Sequence, residues 1–157
     1  MGNRAEKAME YFKTGFNCAQ AVAVAFADLV PMDEKVLLRA ASSFGGGVGR
    51  LRSTCGAVSG MVLVAGILYG YDDPSDRAVK SEYYTVVRDL CEQFRVRHGS
   101  IVCKEILGGN PEIGGEPAER TPAFYGTRPC ERCVFDAAEI LETYLETHSP
   151  KYDTNNV

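Results

Sequence analysis

The sequence predicts an all-α fold, a compact single-domain helical bundle of about five to six helices with a long irregular loop before the last helix. Two observations predict it: apolar residues recur at helical spacing along most of the chain, and no segment alternates apolar and polar residues as a half-buried strand would. At 157 residues the chain is long enough to bury one hydrophobic core. We expect this domain to cover residues 1–148, followed by a flexible tail at residues 149–157.

Three helices are predicted before a glycine-rich stretch. The first begins at Arg4 and is interrupted at Gly15, which favours a turn. Asn17 is the predicted N-cap of the second helix, which is expected to stop near Pro31. Asp33 can cap the third helix, whose apolar side chains recur on one face.

The glycine-rich stretch, FGGGVGRLRSTCGAVSG at residues 44–60, leads into a long uncharged run. Glycine this dense predicts backbone that turns tightly or approaches another group closely. Ser53 or Thr54 is expected to cap a fourth helix that ends about Gly70. The uncharged run approaches the ~20 residues that a membrane span needs, but only residues 61–69 are strongly apolar, which indicates a buried core helix.

Gly56 and Gly60 lie at the start of this fourth helix among other small residues. Small residues make a helix thin, so that a neighbouring element can approach it closely. We therefore expect both glycines to be packing residues that bring other cysteines near Cys55.

The longest helix is predicted to begin within residues 73–75 and to end at His98. Histidine favours the negative end of a helix, and Gly99 suits the left-handed position that follows it. A helix stop therefore explains His98 better than a role as a base or a ligand.

The last third of the chain contains a short helix, a loop and a final helix. Ser100 is the predicted cap of the short helix. Residues 110–129 hold most of the prolines and predict an irregular loop of a length that is uncommon without a function. Cys130 opens the final helix.

The composition excludes some classes of function. The net charge of -4 and the pI near 5.2 give no reason to expect a nucleic-acid partner. The first ten residues lack the apolar core of a signal peptide, so a cytoplasmic location without a membrane span is expected. Six cysteines in a reducing compartment indicate metal binding, redox chemistry or core packing rather than a framework of structural disulfides.

Four of the cysteines fall in the predicted first turns of four different helices. These four are Cys18, Cys55, Cys103 and Cys130. The free N–H groups and partial positive charge of a helix start stabilise a thiolate and lower the pKa of the thiol. Cys91 instead lies in an apolar stripe of the longest helix and is expected to pack in the core.

Basic residues recur beside these cysteines. Arg50 and Arg52 precede Cys55, and Arg128 precedes Cys130. Cations oppose the dipole at a helix start, so their recurrence favours a site for anionic groups.

The chain resembles the redox-active proteins that are named for the pattern C…GCAxxG…C…C. The matching pieces run from Phe16 to Leu141 and are FNCAQAV around Cys18, CGAVSG around Cys55, VCKEILG around Cys103 and CERCVFDAAEIL around Cys130. In this chain the order is Cys-Gly-Ala, where the family name has Gly-Cys-Ala. The resemblance implies a redox role for the cysteines without a defined reaction.

The fourth cysteine of the pattern is either Cys130 or Cys133. Cys130 fits better, because Cys133 lies where the family more often has an apolar residue.

Several functions remain open, of which an iron–sulfur cluster or a related metal for electron transfer is the first. Its ligands would be Cys18, Cys55, Cys103 and Cys130. Gly46 and Gly47 would let backbone amides approach the inorganic sulfides. Against this hypothesis, the close cysteine spacing of ferredoxins is absent.

The second hypothesis is a thiol–disulfide redox protein, with Cys55 as the low-pKa thiol. Cys130 and Cys133 have the spacing of a dithiol at a helix start, and pairs such as Cys18 with Cys55 are equally open. A structural zinc site is less favoured, because zinc ligands usually come as two close pairs and here only one close pair exists. The remaining alternative is a helical interaction protein without redox chemistry. A redox partner protein and a homodimer are open, and so is whether the protein is an oxidoreductase or an electron carrier.

Overall fold

The computed structural model describes residues 3–155, which form eight α-helices and no β-strand. The helices are α1 (Arg4–Lys13), α2 (Cys18–Val24), α3 (Glu34–Ser42), α4 (Gly56–Tyr69), α5 (Arg77–His98), α6 (Cys103–Leu107), α7 (Pro122–Thr127) and α8 (Cys130–Thr147). The all-α prediction is confirmed, and the helix count is higher than the sequence predicts.

The additional helices are short. α7 is a short helix within the predicted irregular loop, where the Thr121 side chain accepts a hydrogen bond from the Phe124 N–H and Pro122 opens the helix.

α2 ends at Val24 rather than near Pro31. The N–H groups of the next residues bond three residues back, as in Phe26 to Ala23 at 3.1 Å, because this tighter turn buries the Phe26 side chain.

The predicted caps of α2 and α3 are confirmed. The Asn17 side chain accepts from the Gln20 N–H at 2.9 Å, and the Gln20 side chain in turn accepts from the Asn17 N–H at 3.2 Å. Asp33 accepts from the N–H groups of Lys35 and Val36. Both caps depend only on residues within one helical turn, which is why the sequence pattern identifies them.

Three other helix starts differ from the prediction. α4 begins after Cys55 instead of Ser53 or Thr54, and α6 begins after Val102 instead of Ser100. The reason is a tertiary contact, because the backbone of residues 53–55 pairs with that of residues 101–103 and is held extended. α5 begins after Asp76, because Asp73 instead holds a turn by accepting from the Ser75 N–H.

The core lies between α2, α4 and α8, with α1, α3 and α5 packed around them. α4 is buried along most of its length, as the sequence predicts. None of the helices formed by residues 3–155 combines the length and apolar character that a membrane span requires. Two of the largest fully buried side chains, Phe12 and Phe94, come from the surrounding helices α1 and α5.

Gly56 and Gly60 are packing residues, as predicted. A Cβ atom at Gly60 would lie 2.5 Å from the backbone oxygen of Ala19, and one at Gly56 would lie 3.1 Å from the Cβ of Cys18. α2 and α4 therefore approach each other with no room for a side chain between them. This contact places Cys18 beside the start of α4.

The described part of the predicted tail contacts the helical body. The N–H groups of Lys151 and Tyr152 donate to the Leu68 oxygen, and the Thr154 N–H donates to the Leu29 oxygen. Residues 156 and 157 lie outside the described residues. The division into a domain and a flexible tail stays a prediction.

We predict that Gly60→Ala lowers the free energy of unfolding by roughly 1–3 kcal/mol, because the new methyl group overpacks against the backbone of α2. Gly66→Ala is the matched control in the same helix. There the nearest atom is the mobile end of Tyr83 at 3.2 Å, so the gain in helix propensity should leave stability unchanged or raised by roughly 0.5–1 kcal/mol. Urea unfolding of both variants measures the difference, and equal effects would contradict the close packing of α2 and α4.

Candidate functional site: five cysteines around one cavity

Five of the six cysteines line a single small cavity of about 30 Å³. They are Cys18, Cys55, Cys103, Cys130 and Cys133. The structure thus brings together the four cysteines that the sequence selects, and Cys91 does not line the cavity. Cys130 and Cys133 both line it, and which of them is the fourth cysteine of the pattern stays a prediction.

Backbone pairing between two distant segments brings Cys55 and Cys103 to the cavity. The Cys55 N–H donates to the Ile101 oxygen at 2.7 Å, and the Cys103 N–H donates to the Ser53 oxygen at 2.6 Å. This antiparallel bridge holds the starts of α4 and α6 side by side. The two cysteines are 48 residues apart in the chain and become neighbours through the bridge alone.

The starts of α2 and α8 complete the cavity. Cys18 and Cys130 are the first residues of their helices, and α2 and α8 pack against each other. Cys133 lies three residues after Cys130 and therefore on the same face of α8. This spacing was the sequence signal that could have placed both cysteines in one site.

The glycine-rich stretch forms a left-handed turn over the cavity. Six of its residues have positive φ angles: Gly46, Gly47, Val48, Gly49, Arg50 and Arg52. The turn is closed by backbone hydrogen bonds from Gly49 to Ser43 and from Ser53 to Gly47, both at 2.9 Å. Gly47 is required sterically, because a Cβ there would lie 2.7 Å from the Cβ of Cys103.

Cys18 and Cys130 form the first of two thiol pairs. The side-chain hydrogen bond between them raises the pKa of Cys18 well above its ordinary value, and burial adds to this effect. The same bond lowers the pKa of Cys130 to about 7, assisted by the charges of Arg128, Arg120 and Arg52 against the opposing effect of burial. Cys130 is therefore the thiolate of this pair and Cys18 the proton donor.

Cys55 and Cys133 form the second pair. Their side-chain hydrogen bond lowers the pKa of Cys55 against the opposing effect of burial, and the N–H groups of Ala57 and Val58 at the start of α4 lower it further. The bond and burial both raise the pKa of Cys133. Cys55 is 6% exposed and Cys133 is 1% exposed, so this pair is the more deeply buried of the two.

Cys103 is paired with an arginine instead of a thiol. The Arg52 guanidinium donates to the Cys103 sulfur at 3.8 Å. Burial raises the pKa of Cys103 by more than this hydrogen bond lowers it. Cys103 is thus a protonated thiol at the edge of the cavity.

His98 and Asp136 extend the second pair away from the cavity. His98 Nδ1 lies 3.7 Å from the Cys133 sulfur, and its Nε2 lies 2.8 Å from Asp136 Oδ2. The Asp136 side chain is 4% exposed and also forms ion pairs with Arg97 and Arg132. His98 does end α5 ahead of a left-handed Gly99, as predicted, but its contact with Cys133 was missed because a helix stop already explained it.

The arrangement of the cysteines does not confirm a metal ion or a cluster. Among residues 3–155, no group of three or more His, Cys, Asp or Glu side chains is arranged to hold a metal ion. Four of the thiols interact in two pairs, Cys18 with Cys130 and Cys55 with Cys133. The iron–sulfur prediction is not confirmed.

Comparison with known proteins identifies one similarity. A family model described as "Putative redox-active protein (C_GCAxxG_C_C)" matches residues 16–144. The match covers most of the chain and includes all six cysteines. No curated protein and no solved structure matches the chain.

We predict that the alkylation rate of Cys130 rises with pH around a midpoint near 7. Cys18→Ala removes the proton donor to the thiolate, so the midpoint should move up by more than about one pH unit and the rate at pH 7 should fall. Mass spectrometry of peptides after timed iodoacetamide treatment measures both. Cys91 is the internal reference, since burial alone raises its pKa, and its profile should not change. An unchanged Cys130 midpoint in Cys18→Ala would contradict the thiol pair.

A second prediction concerns the glycine turn. Gly47→Ala and Gly49→Ala both place a methyl group at a positive φ, at a cost of roughly 1–2 kcal/mol each. Only Gly47→Ala also pushes against Cys103, whereas Gly49 has nothing within 4 Å. We expect Gly47→Ala to lose roughly 1–3 kcal/mol more in urea unfolding and to increase alkylation of Cys103. Equal losses in the two variants would show that the turn does not press on the cavity.

Proposed function

The chain belongs to the family of redox-active proteins with the C_GCAxxG_C_C pattern, and we propose that its redox chemistry is thiol–disulfide exchange. Two adjacent dithiols carry it: Cys18 with Cys130, and Cys55 with Cys133. The supporting observation is that all four thiols line one cavity, where in each pair the pKa of one thiol is lowered and that of the other is raised. Exchange needs this division between an attacking thiolate and a resolving thiol.

The first exchange takes place at the outer dithiol. The Cys130 thiolate attacks one sulfur of a substrate disulfide, whose S–S bond breaks and releases one substrate thiolate. The sulfur of Cys18 then attacks the mixed disulfide at Cys130 and releases the second substrate thiolate, which receives the Cys18 proton. The substrate is reduced by two electrons to two thiols, and Cys18 and Cys130 are oxidised to a disulfide.

The inner dithiol can reduce this outer disulfide and become a disulfide itself. The Cys55 thiolate attacks the Cys18–Cys130 disulfide, and Cys133 then attacks Cys55 to complete an inner disulfide. The outer pair leaves as thiol and thiolate, so two electrons pass from the inner pair to the outer pair. His98 Nδ1 is placed to receive the Cys133 proton, since Asp136 holds the opposite ring nitrogen, and the Cys18 sulfur that leaves then takes up this proton.

Cys130 suits the attack on an external disulfide better than Cys55. Its thiol is partly exposed and borders a second, larger pocket, whereas Cys55 is buried. Cys103 forms no thiol pair and takes no part in this exchange. A partner protein with a dithiol would reduce the more exposed outer pair, whose thiolate would then reduce the inner disulfide by the reverse exchange. This retains the predicted redox partner.

An iron–sulfur cluster is the second candidate, favoured by the convergence of five cysteines on one cavity. Its proposed ligands are those expected from the sequence, Cys18, Cys55, Cys103 and Cys130. A cytoplasmic location and a homodimer also stay predictions.

We predict that the protein, purified without oxygen, is colourless, contains no stoichiometric iron and has six free thiols. Treatment with a small disulfide should remove two thiols and then two more, and a reductant should restore all of them. Mapping by mass spectrometry should find Cys18 joined to Cys130 and Cys55 joined to Cys133. Cys91→Ser is the control, and four of its thiols should still be oxidised. Cys130→Ser should be unable to form the outer disulfide.

Two outcomes would reject this function. A brown protein with several iron atoms per chain would favour the cluster. Thiols that stay free under mild oxidation would return the cysteines to a packing role.

A further inference from the structure

A second pocket of about 320 Å³ opens beside the outer dithiol, and Cys18 and Cys130 line both cavities. We propose that this pocket binds a small disulfide that carries carboxylate groups, as the substrate of Cys130. This inference rests on the proposed function for the reaction, and on the pocket's own charge and shape for the ligand.

Positive charge dominates the pocket. Its wall includes four arginines and no aspartate or glutamate: Arg50, Arg52, Arg120 and Arg128. Only Arg50 meets a carboxylate, that of Glu112 at 3.6 Å, and the Glu112 side chain is 72% exposed. Among residues 3–155, no carboxylate pairs with the other three guanidinium groups.

The contrast with the whole chain makes this charge informative. The protein has a net charge of -4, yet one small pocket collects four positive charges. The Glu112 carboxylate and the Cys130 thiolate offset only part of this positive charge. The arginines therefore still repel each other, and an anionic ligand relieves this repulsion.

Two of the arginines are held rigidly in place. Arg120 donates to the Phe12 oxygen at 2.9 Å and to the Phe16 oxygen at 3.0 Å, and its guanidinium stacks over the Phe12 ring. Arg52 donates to the backbone oxygen of Glu112 and to the Cys103 sulfur. Carbonyl and thiol partners leave the positive charge of each guanidinium uncompensated, so the two arginines form a fixed cationic wall.

Arg128 can contact a ligand directly. Its guanidinium packs on the Phe124 ring at 5.2 Å, and within the described chain it makes no hydrogen bond or ion pair. Guanidinium groups bind carboxylates with two parallel hydrogen bonds. Arg128 is thus the residue best placed to hold a carboxylate next to Cys130.

The size and walls of the pocket limit the ligand. Its volume is near the lower end for small-molecule sites, so a folded protein cannot enter it. Phe12, Phe124 and Pro117 supply apolar lining, and several glycines also line the pocket. The apolar stems of a short ligand would pack against these side chains, and its terminal carboxylates would bind the arginines.

The reaction with 3,3′-dithiodipropionate illustrates the class. The Cys130 thiolate attacks one sulfur, the S–S bond breaks and one 3-mercaptopropionate leaves. Cys18 then attacks Cys130 and displaces the second, which takes the Cys18 proton. One disulfide of the reagent is reduced by two electrons and one protein disulfide forms.

The test compares three reagents with the reduced protein. They are the dianion 3,3′-dithiodipropionate, the neutral 2-hydroxyethyl disulfide and the dication cystamine. At low salt we expect the dianion to oxidise Cys130 about tenfold faster than the neutral reagent, and the dication to be the slowest. Added salt should reduce the ratio.

The ratio of dianion rate to neutral rate is the readout for variants, because it removes any effect of a changed Cys130 pKa. Arg128→Gln should bring this ratio to within about twofold of one, and Arg128→Lys should keep most of it. Arg88→Gln, on the exposed face of α5 and outside the pocket, should leave it unchanged. A ratio near one in the unmodified protein would overturn the inference.

A probe that cannot be reduced separates the inference from the proposed function. Glutarate should slow alkylation of Cys130 in the unmodified protein and not in Arg128→Gln. If all three disulfides oxidise the outer dithiol equally and glutarate has no effect, the pocket proposal fails and thiol exchange stands. If no disulfide forms but glutarate still protects Cys130, thiol exchange and the disulfide substrate fail and the anion site stands.

Discussion

The antiparallel backbone contact between residues 53–55 and 101–103 is the constraint on which the cysteine cavity depends. It ends the glycine turn, fixes the starts of α4 and α6, and places Cys55 beside Cys103. The contact involves few residues, with hydrogen bonds of 2.6 and 2.7 Å, but it joins segments that are almost fifty residues apart in the chain. Because both helices begin where the pairing ends, their first turns point at the same space. Displacing either segment would break these hydrogen bonds and separate Cys55 from Cys103.

Burial and hydrogen bonding act in opposite directions on these thiols, and the hydrogen bonds decide which sulfur carries the charge. Burial disfavours every thiolate in the cavity. Cys130 and Cys55 nevertheless have lowered pKa values, because each accepts a hydrogen bond from a neighbouring thiol and is assisted by arginines or by backbone N–H groups. Cys18 and Cys133 carry the opposite shift. Two like-charged thiolates in one pair would repel each other, so each pair stabilises a single negative charge.

Local signals made part of this structure predictable from sequence. The caps Asn17 and Asp33 and the start of α8 at Cys130 depend on residues within one turn. The predicted cap of α4 was wrong, because backbone pairing with a distant segment overrode the local capping preference of Ser53 and Thr54. The thiol pairs were beyond prediction for the same reason, since helical spacing puts Cys130 and Cys133 on one face without saying which helices that face meets.

The glycine turn explains how two cavities can share one wall. Gly46 and Arg52 line both the thiol cavity and the arginine pocket, so the backbone between them is the partition. Two of its glycines have no room for a side chain, because a Cβ at Gly46 would meet Arg50 at 2.8 Å and one at Gly47 would meet Cys103 at 2.7 Å. Arg52 instead occupies a positive φ that costs a non-glycine residue roughly 1–2 kcal/mol. Such strain persists only where the surroundings hold it, and here the guanidinium is fixed by Glu112 on one side and by Cys103 on the other. The strained residue thereby keeps one positive charge in contact with both the thiols and the pocket.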